Sequence, residues 1–396
     1  MRSNYKKLGQ YIQIVDNRNK ELFITRLLGV SIEKRFIPSI ANIVGTDLSN
    51  YKVVRTGQFA YGPVTSRNGE KASIAYLDSE DCIISSSYTV FEVIKKDELD
   101  SEYLMLWFSR PEFDRYARYK SHGSVREIFD WDEMCNVVLP VPPIEEQRKI
   151  VKAYQIITER IELKKRINDN LAETASTLFC KYFVANEEKE TWEEGSFSQM
   201  LIDTVGGDWG QETPSGNYIS KVSCIRGTDI PALNLGSISE APTRYILEKN
   251  FNAKKICPNN MVIEISGGSP VQATGRIALV PEQILTYRGS NIICSNSCRV
   301  LKVEEDYLYF FLQNWLYLYR NGIMFNYENS STGLKNFNFN AFTEEHTIRI
   351  PPKKLAVKFN AMIEPIYKEI FNIGFEIEHL QSTLEHILPR IMSVGI

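Results

Sequence analysis

Hydrophobic positions along this chain keep two periods, and each period occurs twice. Segments 57–77 (GQFAYGPVTSRNGEKASIAYL) and 259–280 (NNMVIEISGGSPVQATGRIALV) both read as a strand, a Gly/Ser/Thr-rich loop and a second strand. Segments 121–143 (SHGSVREIFDWDEMCNVVLPVPP) and 330–352 (SSTGLKNFNFNAFTEEHTIRIPP) also correspond. Each gives a small-residue turn, a basic residue (Arg126, Lys335), an aromatic stretch with acids or amides, and an alternating strand that ends in a doubled proline. Upstream lie VGTDL (44–48) and RGTDI (226–230). Identity between the copies is low. The shared order of features is what marks an internal repeat.

After each doubled proline the period becomes helical. Positions 150, 154, 157, 161, 164, 168, 171, 175, 178 and 182 step alternately by four and three, as do 359, 363, 366, 370, 373, 377, 380, 384, 387 and 391. The second set is apolar throughout, whereas Lys164 and Asn168 interrupt the first. A sustained seven-residue repeat predicts a coiled-coil seam, in which polar members fix register at some cost in stability. Pro143 fits the first turn of a helix, where its missing N–H costs nothing. The proline before it favours an extended backbone. Each helix would run roughly 57 Å at about 1.5 Å per residue. The order globule, helix, globule, helix closes most easily with the helices antiparallel and the globules related by a pseudo-twofold axis. The expected fold class is therefore mixed α/β, with two similar domains separated by two long antiparallel coiled-coil helices.

Composition changes this picture little. No apolar run approaches the roughly 18 residues of a membrane helix, and the N-terminal stretch lacks a signal-peptide core, so a cytoplasmic protein without membrane association is expected. The seven cysteines form no C-x-x-C pair, and none of the four histidines stands near a cysteine pair. They read as small, reduced, apolar residues, with no metal expected in this chain. The net charge of -3 argues mildly against a nucleic-acid partner. It does not exclude a basic cleft between acidic outer faces.

Catalytic signatures are missing. Neither Pro-Pro pair sits in an amino-methyltransferase motif, since Ile144 and Lys353 follow them. No phosphate-binding loop of Walker type occurs, because GPVTSRNGEK has the wrong spacing, and GGDWG is not a dinucleotide fingerprint. The acids of FDWDEM read as solvated turn residues beside a strand. Binding, not catalysis, is the expected function.

The layout resembles the specificity (S) subunit of type I restriction–modification systems. The resemblance covers nearly the whole chain. It rests on LPVPPIEEQRKIV and LAETASTLFCKYFV in the first half, and on GDWGQE, SGGSPVQATGRI and STGLKNFN in the second. The second copy departs from it, since PPKKLAVKF lacks the Glu-Gln pair of PPIEEQ. The resemblance implies target-recognition domains at 1–143 and 186–352 and conserved spacer helices at 144–185 and 353–396. It implies that each domain reads one half of a split site in double-stranded DNA. It also implies assembly with two methyltransferase (M) subunits and with restriction (R) subunits. S-adenosylmethionine, ATP and Mg would belong to those partners, as would adenine-N6 methylation and ATP-dependent cleavage.

Side chains suited to base edges and phosphates gather in the paired loops. The first copy offers Tyr61, Thr65, Ser66, Arg67, Asn68, Lys71, Ser86, Tyr88, His122, Ser124 and Arg126. The second offers Ser266, Ser269, Gln272, Thr274, Arg276, Asn296, Thr332, Lys335 and Asn336. For each loop the plain alternative is a solvated hairpin. At the helix starts, Glu145, Glu146, Gln147 and Arg148 are either partner contacts or a solvated capping cluster. The alternative to a DNA-reading subunit is a coiled-coil adaptor with two peptide-binding domains.

Overall fold

A computed structural model describes residues 5–39, 45–66, 68–123, 126–238, 240–269, 271–289, 291–331 and 334–391. The chain forms two compact units, Met1–Glu159 with Ser382–Ile396, and Arg160–Gln381.

The first unit is built on a four-stranded antiparallel sheet. Ile12–Val15 pairs with Thr89–Val93, which pairs with Phe59–Tyr61, which pairs with Ile74–Tyr76. Both faces are apolar. One packs Phe59 and Phe91, stacked at 4.9 Å, against Phe108, Phe113 and Phe129 from the helical segment that follows. The other packs Ala60, Ala75 and Val90 against Val54, Cys82 and Ile84. The helix Ser101–Phe108 starts at Asp100, whose carboxylate accepts the N–H groups of Glu102 and Tyr103. Asp130 caps the helix Trp131–Asn136 in the same way, so the acids of FDWDEM lie in and beside a helical first turn.

The second unit repeats the plan. Leu201–Gly206, Cys298–Val303, Asn260–Glu264 and Ile277–Val280 form a four-stranded sheet in the corresponding order. Its core is larger and more aromatic, with Trp315 fully buried among Phe197, Phe311 and Phe342. A second sheet departs from the first unit's pattern. Tyr218–Ile225 runs antiparallel to Thr243–Leu247 but parallel to Ile292–Cys294. In the first unit the strand pair Lys52–Val54 and Cys82–Ile84 is antiparallel.

The two proline junctions are alike. Tyr5–Lys7 pairs with Val138–Pro140 before the first, and Glu193–Gly195 pairs with Ile348–Ile350 before the second. Both helices then begin directly after the doubled prolines, at Ile144 and Lys353, where the sequence places their starts. Pro143 and Pro352 stand just outside, and their carbonyls accept the first helical N–H groups, from Glu146 and Leu355, each at 2.8 Å.

Within the second unit the long helices Ile144–Phe179 and Lys353–Ile391 are antiparallel neighbours. Lys164 pairs with Glu376, Asn168 donates to the Ile370 carbonyl at 3.2 Å, and Phe183 meets Phe359 at 4.8 Å. Ile161, Asn168 and Ala175 are buried, as are Phe359, Ile363, Ile370 and Ile373, so the heptad pattern faces inward as expected. The second helix also does more than pair with the first. Phe359, Ile363, Tyr367 and Phe371 belong to the second unit's core, and Gln313 donates to the Tyr367 hydroxyl at 2.8 Å.

Candidate nucleic-acid interface

In the second unit the site is built from a strand pair that continues past its last register position. Ile263 lies opposite Ile277, and the Glu264 N–H donates to the Arg276 carbonyl at 2.9 Å. This fixes Glu264 and Arg276 side by side where the strands open into a loop. Arg276 donates Nε and Nη2 to the two carboxylate oxygens of Glu264, at 2.8 and 2.6 Å. The Glu264 side chain is 2% exposed and that of Arg276 14%. The carboxylate fits because its neighbours are glycines. A Cβ on Gly227 would stand 2.6 Å from Glu264 Oε1, and one on Gly267 would stand 2.4 Å from it.

The loop then folds back on the hairpin that follows. Ser266 and Gly267 pair with Asn336 and Lys335, and Ser269 bridges to Gln272. A buried ring and a half-buried one pin the return. Trp315 Nε1 donates to the Gly275 carbonyl and the Tyr319 hydroxyl to that of Ala273, both at 2.8 Å. Thr274 is fully buried, and its N–H and hydroxyl donate to Glu328, which also takes Lys335 at 2.7 Å. Burial opposes the charge of Glu328, but Lys335 and Thr274 outweigh it and hold its carboxyl below the usual range.

The result is a cleft of about 690 Å³ whose lining includes Trp209, Arg226, Ser266, Gln272, Arg276 and Asn296. Arg226 is held by Asp229 through Nε and Nη2, at 3.0 and 2.8 Å, and Nη2 also donates to the Glu240 carbonyl at 2.9 Å. Arg244 stacks on the Trp209 ring at 3.8 Å. Ser266, Gln272, Arg276 and Asn296 therefore meet in one place. Lys335 and Asn336 lie on the adjoining strand, Ser269 lies at the loop's bridge, and Thr332 lies outside the described residues.

The first unit brings the corresponding segments together, with other side chains. Val64 and His122 both bridge to Ile128, which seats the 61–73 loop against the 121–129 segment. Gly62 and Ser73 take the places of Glu264 and Arg276, since the Gly62 N–H donates to the Ser73 carbonyl at 2.9 Å. Tyr61 and Thr65 are buried, 3% exposed each, and have supporting positions. Tyr61 sits in the core, and Thr65 Oγ1 bonds Ser121 and the Glu127 carbonyl. Asn68 donates to Val64 and Ser73, and Lys71 pairs with Glu33. Ser66, Ser86, His122 and Arg126 are exposed and Tyr88 half-buried. Arg67 and Ser124 lie outside the described residues.

Sequence reasoning missed Glu264 and Arg226 as parts of the site. A signal was present, because VIEIS puts an acid on a strand that is otherwise apolar. Gln147 also has a different setting from the one expected. It is fully buried, its Oε1 accepts the Asp100 N–H, and its Nε2 donates to the carbonyls of Glu98 and Pro142. Its side chain is thus consumed inside the first unit.

Comparison with known proteins fits this architecture. Residues 11–173 match the family model described as the type I restriction modification DNA specificity domain. The type I restriction enzyme MjaIX specificity subunit of Methanocaldococcus jannaschii is 24% identical over 81% of this chain and 75% of its own length. The HindI specificity subunit of Haemophilus influenzae is 24% identical over 37% of this chain and 32% of its own. The fold is similar to the crystal structure of a type I restriction–modification S subunit from M. genitalium. That match has a TM-score of 0.57 and 13% identity, over 98% of this chain and 95% of the other. Residues 11–173 thus match the type I restriction modification DNA specificity domain, and over 81% of its length the chain is similar to the specificity subunit of a type I restriction enzyme.

Proposed function

We propose that this chain is the DNA-recognition subunit of a type I restriction–modification complex, non-catalytic in itself, with each unit reading one half of a bipartite site. The observation that carries this reading is the repeated loop junction. In both units the loop between an inner strand and the edge strand beside it is seated against a second segment that precedes the proline junction, so both present polar side chains in equivalent places. Folded modules that recur at equivalent positions suit a ligand that itself repeats, such as two half-sites on a duplex. The long helices would set the spacer between the half-sites. Methyl transfer to adenine N6 and ATP-dependent cleavage would lie with M and R partners, which would hold S-adenosylmethionine, ATP and Mg. The work would take place in the cytoplasm, where those partners meet DNA.

A randomised duplex library selected on the full chain tests this. Two short motifs at one fixed spacing are expected, and binding should weaken steeply with salt. Enrichment of no motif would sink the reading. The net charge of -3 favours the adaptor alternative. Capture of extended peptides by both units, with no affinity for duplex DNA, would establish it.

A further inference from the structure

We infer that Glu264 is a positioning residue that fixes Arg276 to read a guanine in the half-site of the second unit. The inference rests on the DNA-reading function proposed above and goes further, to one base and two side chains.

The argument starts from the guanidinium edges. Glu264 occupies the Nε–Nη2 edge of Arg276 through both carboxylate oxygens. The other edge, formed by Nη1 and the second Nη2 proton, has no acceptor among the described residues, and Arg276 lines the cleft. Arg226 differs, because its second Nη2 proton goes to the Glu240 carbonyl. Arg276 is therefore the cleft arginine whose two-donor end stays available while its orientation is fixed.

Two nucleic-acid groups offer paired acceptors to such an edge: guanine, through O6 and N7, and a phosphate. The carboxylate decides between them. With Glu264 2% exposed and directly bonded, the pair as a whole carries no net charge. Such a pair gives little Coulomb attraction to phosphate. It still supplies two directed donors, which is what a base edge needs. The glycines at 227 and 267 are further parts of the device, since any side chain there would displace the carboxylate. The first unit has Gly62 and Ser73 in the places of Glu264 and Arg276, so its half-site is read without an arginine there.

The test uses the full chain and the randomised duplex library. The unmodified chain should select a site with a guanine in one half. Arg276→Ala should lose selection at that single G·C pair by about 5- to 150-fold and keep the rest of the site. Glu264→Gln should weaken selection at the same pair, and Arg276→Lys should not restore it, because lysine lacks the fork. Should these variants fail to fold, the unmodified protein still gives an answer. Replacing each guanine of the selected site in turn by 7-deazaguanine, which lacks the N7 acceptor, should cost about fivefold or more at one position. No such guanine would overturn the inference. So would an Arg276→Ala variant that binds every sequence equally less well, with a salt slope reduced by about one, since that is a phosphate contact. A chain that selects no sequence at all would overturn the DNA-reading function, and the inference with it.

Discussion

The two units share a sheet and a loop junction but differ in what they place there. Where the first has Gly62 and Ser73, the second has the buried Glu264–Arg276 pair. Beside Gly62 stands the Tyr88 ring, 3.5 Å from where a Cβ would lie, whereas the second unit has the Ser295–Ser297 turn on the wall of an open cleft. The backbone plan tolerates this divergence because hydrogen bonds along the strands set the register whatever the side chains are. One scaffold can therefore carry two different loop surfaces.

The proline junctions teach the same lesson from the opposite side. PPIEEQ and PPKKLA differ in sequence, yet both helix starts are tied to the loop before the preceding helical segment. In the first unit Gln147 makes the tie, to Glu98, Asp100 and Pro142. In the second Ala356 occupies that place, and Asn360, one turn on, makes it. Asn360 Nδ2 donates to the carbonyls of Glu305 and Asp306, and its Oδ1 accepts the Tyr309 N–H. The missing Glu-Gln pair is thus a relocation of one clamp.

Four sets of measurements would break or sharpen this comparison. The largest effect is expected at Glu264. Its replacement by alanine leaves Arg276 without its partner in a largely buried setting and should cost about 3 to 5 kcal/mol in denaturant unfolding. Ser73→Ala in the first unit should cost less than about 1 kcal/mol, and equal losses would refute the claimed asymmetry. Next come the clamps. Gln147→Ala and Asn360→Ala each orphan backbone groups, at about 1 to 3 kcal/mol, and the two values should be similar. A neutral Asn360→Ala would show that the second junction is held otherwise.

A smaller change is expected at Asn168. Its Nδ2 donates to the carbonyls of Leu235 and Ile370, each at 3.2 Å, but its buried Oδ1 has no partner among the described residues. Asn168→Leu exchanges two modest hydrogen bonds for apolar contact and removes that unpaired acceptor, so unfolding free energy should move by less than about 1 kcal/mol. A loss above 3 kcal/mol would mean that the amide is a main support of the helix pair.

The smallest effect is the titration of Glu328. Its folded pKa is depressed, so its pairing with Lys335 and Thr274 stabilises the hairpin above the ordinary glutamate range. That stabilisation is lost as pH falls through the folded value. Protection against hydrogen exchange at residues 328–331 and 334–337, measured relative to the intrinsic rate at each pH, should therefore fall on acidification below the ordinary glutamate pKa, and Glu328→Gln should abolish this dependence. Unchanged protection in the parent protein would argue against the pair.

Much of the scaffold was legible in the sequence, because it rests on short-range rules. The short apolar runs Asn260–Glu264 and Ile277–Val280, on either side of a Gly/Ser/Thr-rich loop, announced paired strands, and the four-three stepping of 359 to 391 announced a helix, whose stripe is buried at Phe359, Ile363, Ile370 and Ile373. The loops were legible as places, since Ser266, Gln272, Arg276 and Asn296 do meet in one cleft. Their individual roles were not. Thr65 and Thr274 look like surface hydroxyls in their loops, yet both are buried and bonded inside. Gln147 looked like a surface amide and fills a fully buried position.

The sequence by itself determined the repeat, the elements and the junctions, because hydrophobic period and proline chemistry act over a few residues. Only the tertiary structure decided which polar side chains face outward. That choice depends on partners distant along the chain, such as Asp100 for Gln147, Glu328 for Thr274 and Gly227 beside Glu264. A buried polar group must find its hydrogen bonds wherever the fold brings them, and local pattern carries no record of where that is.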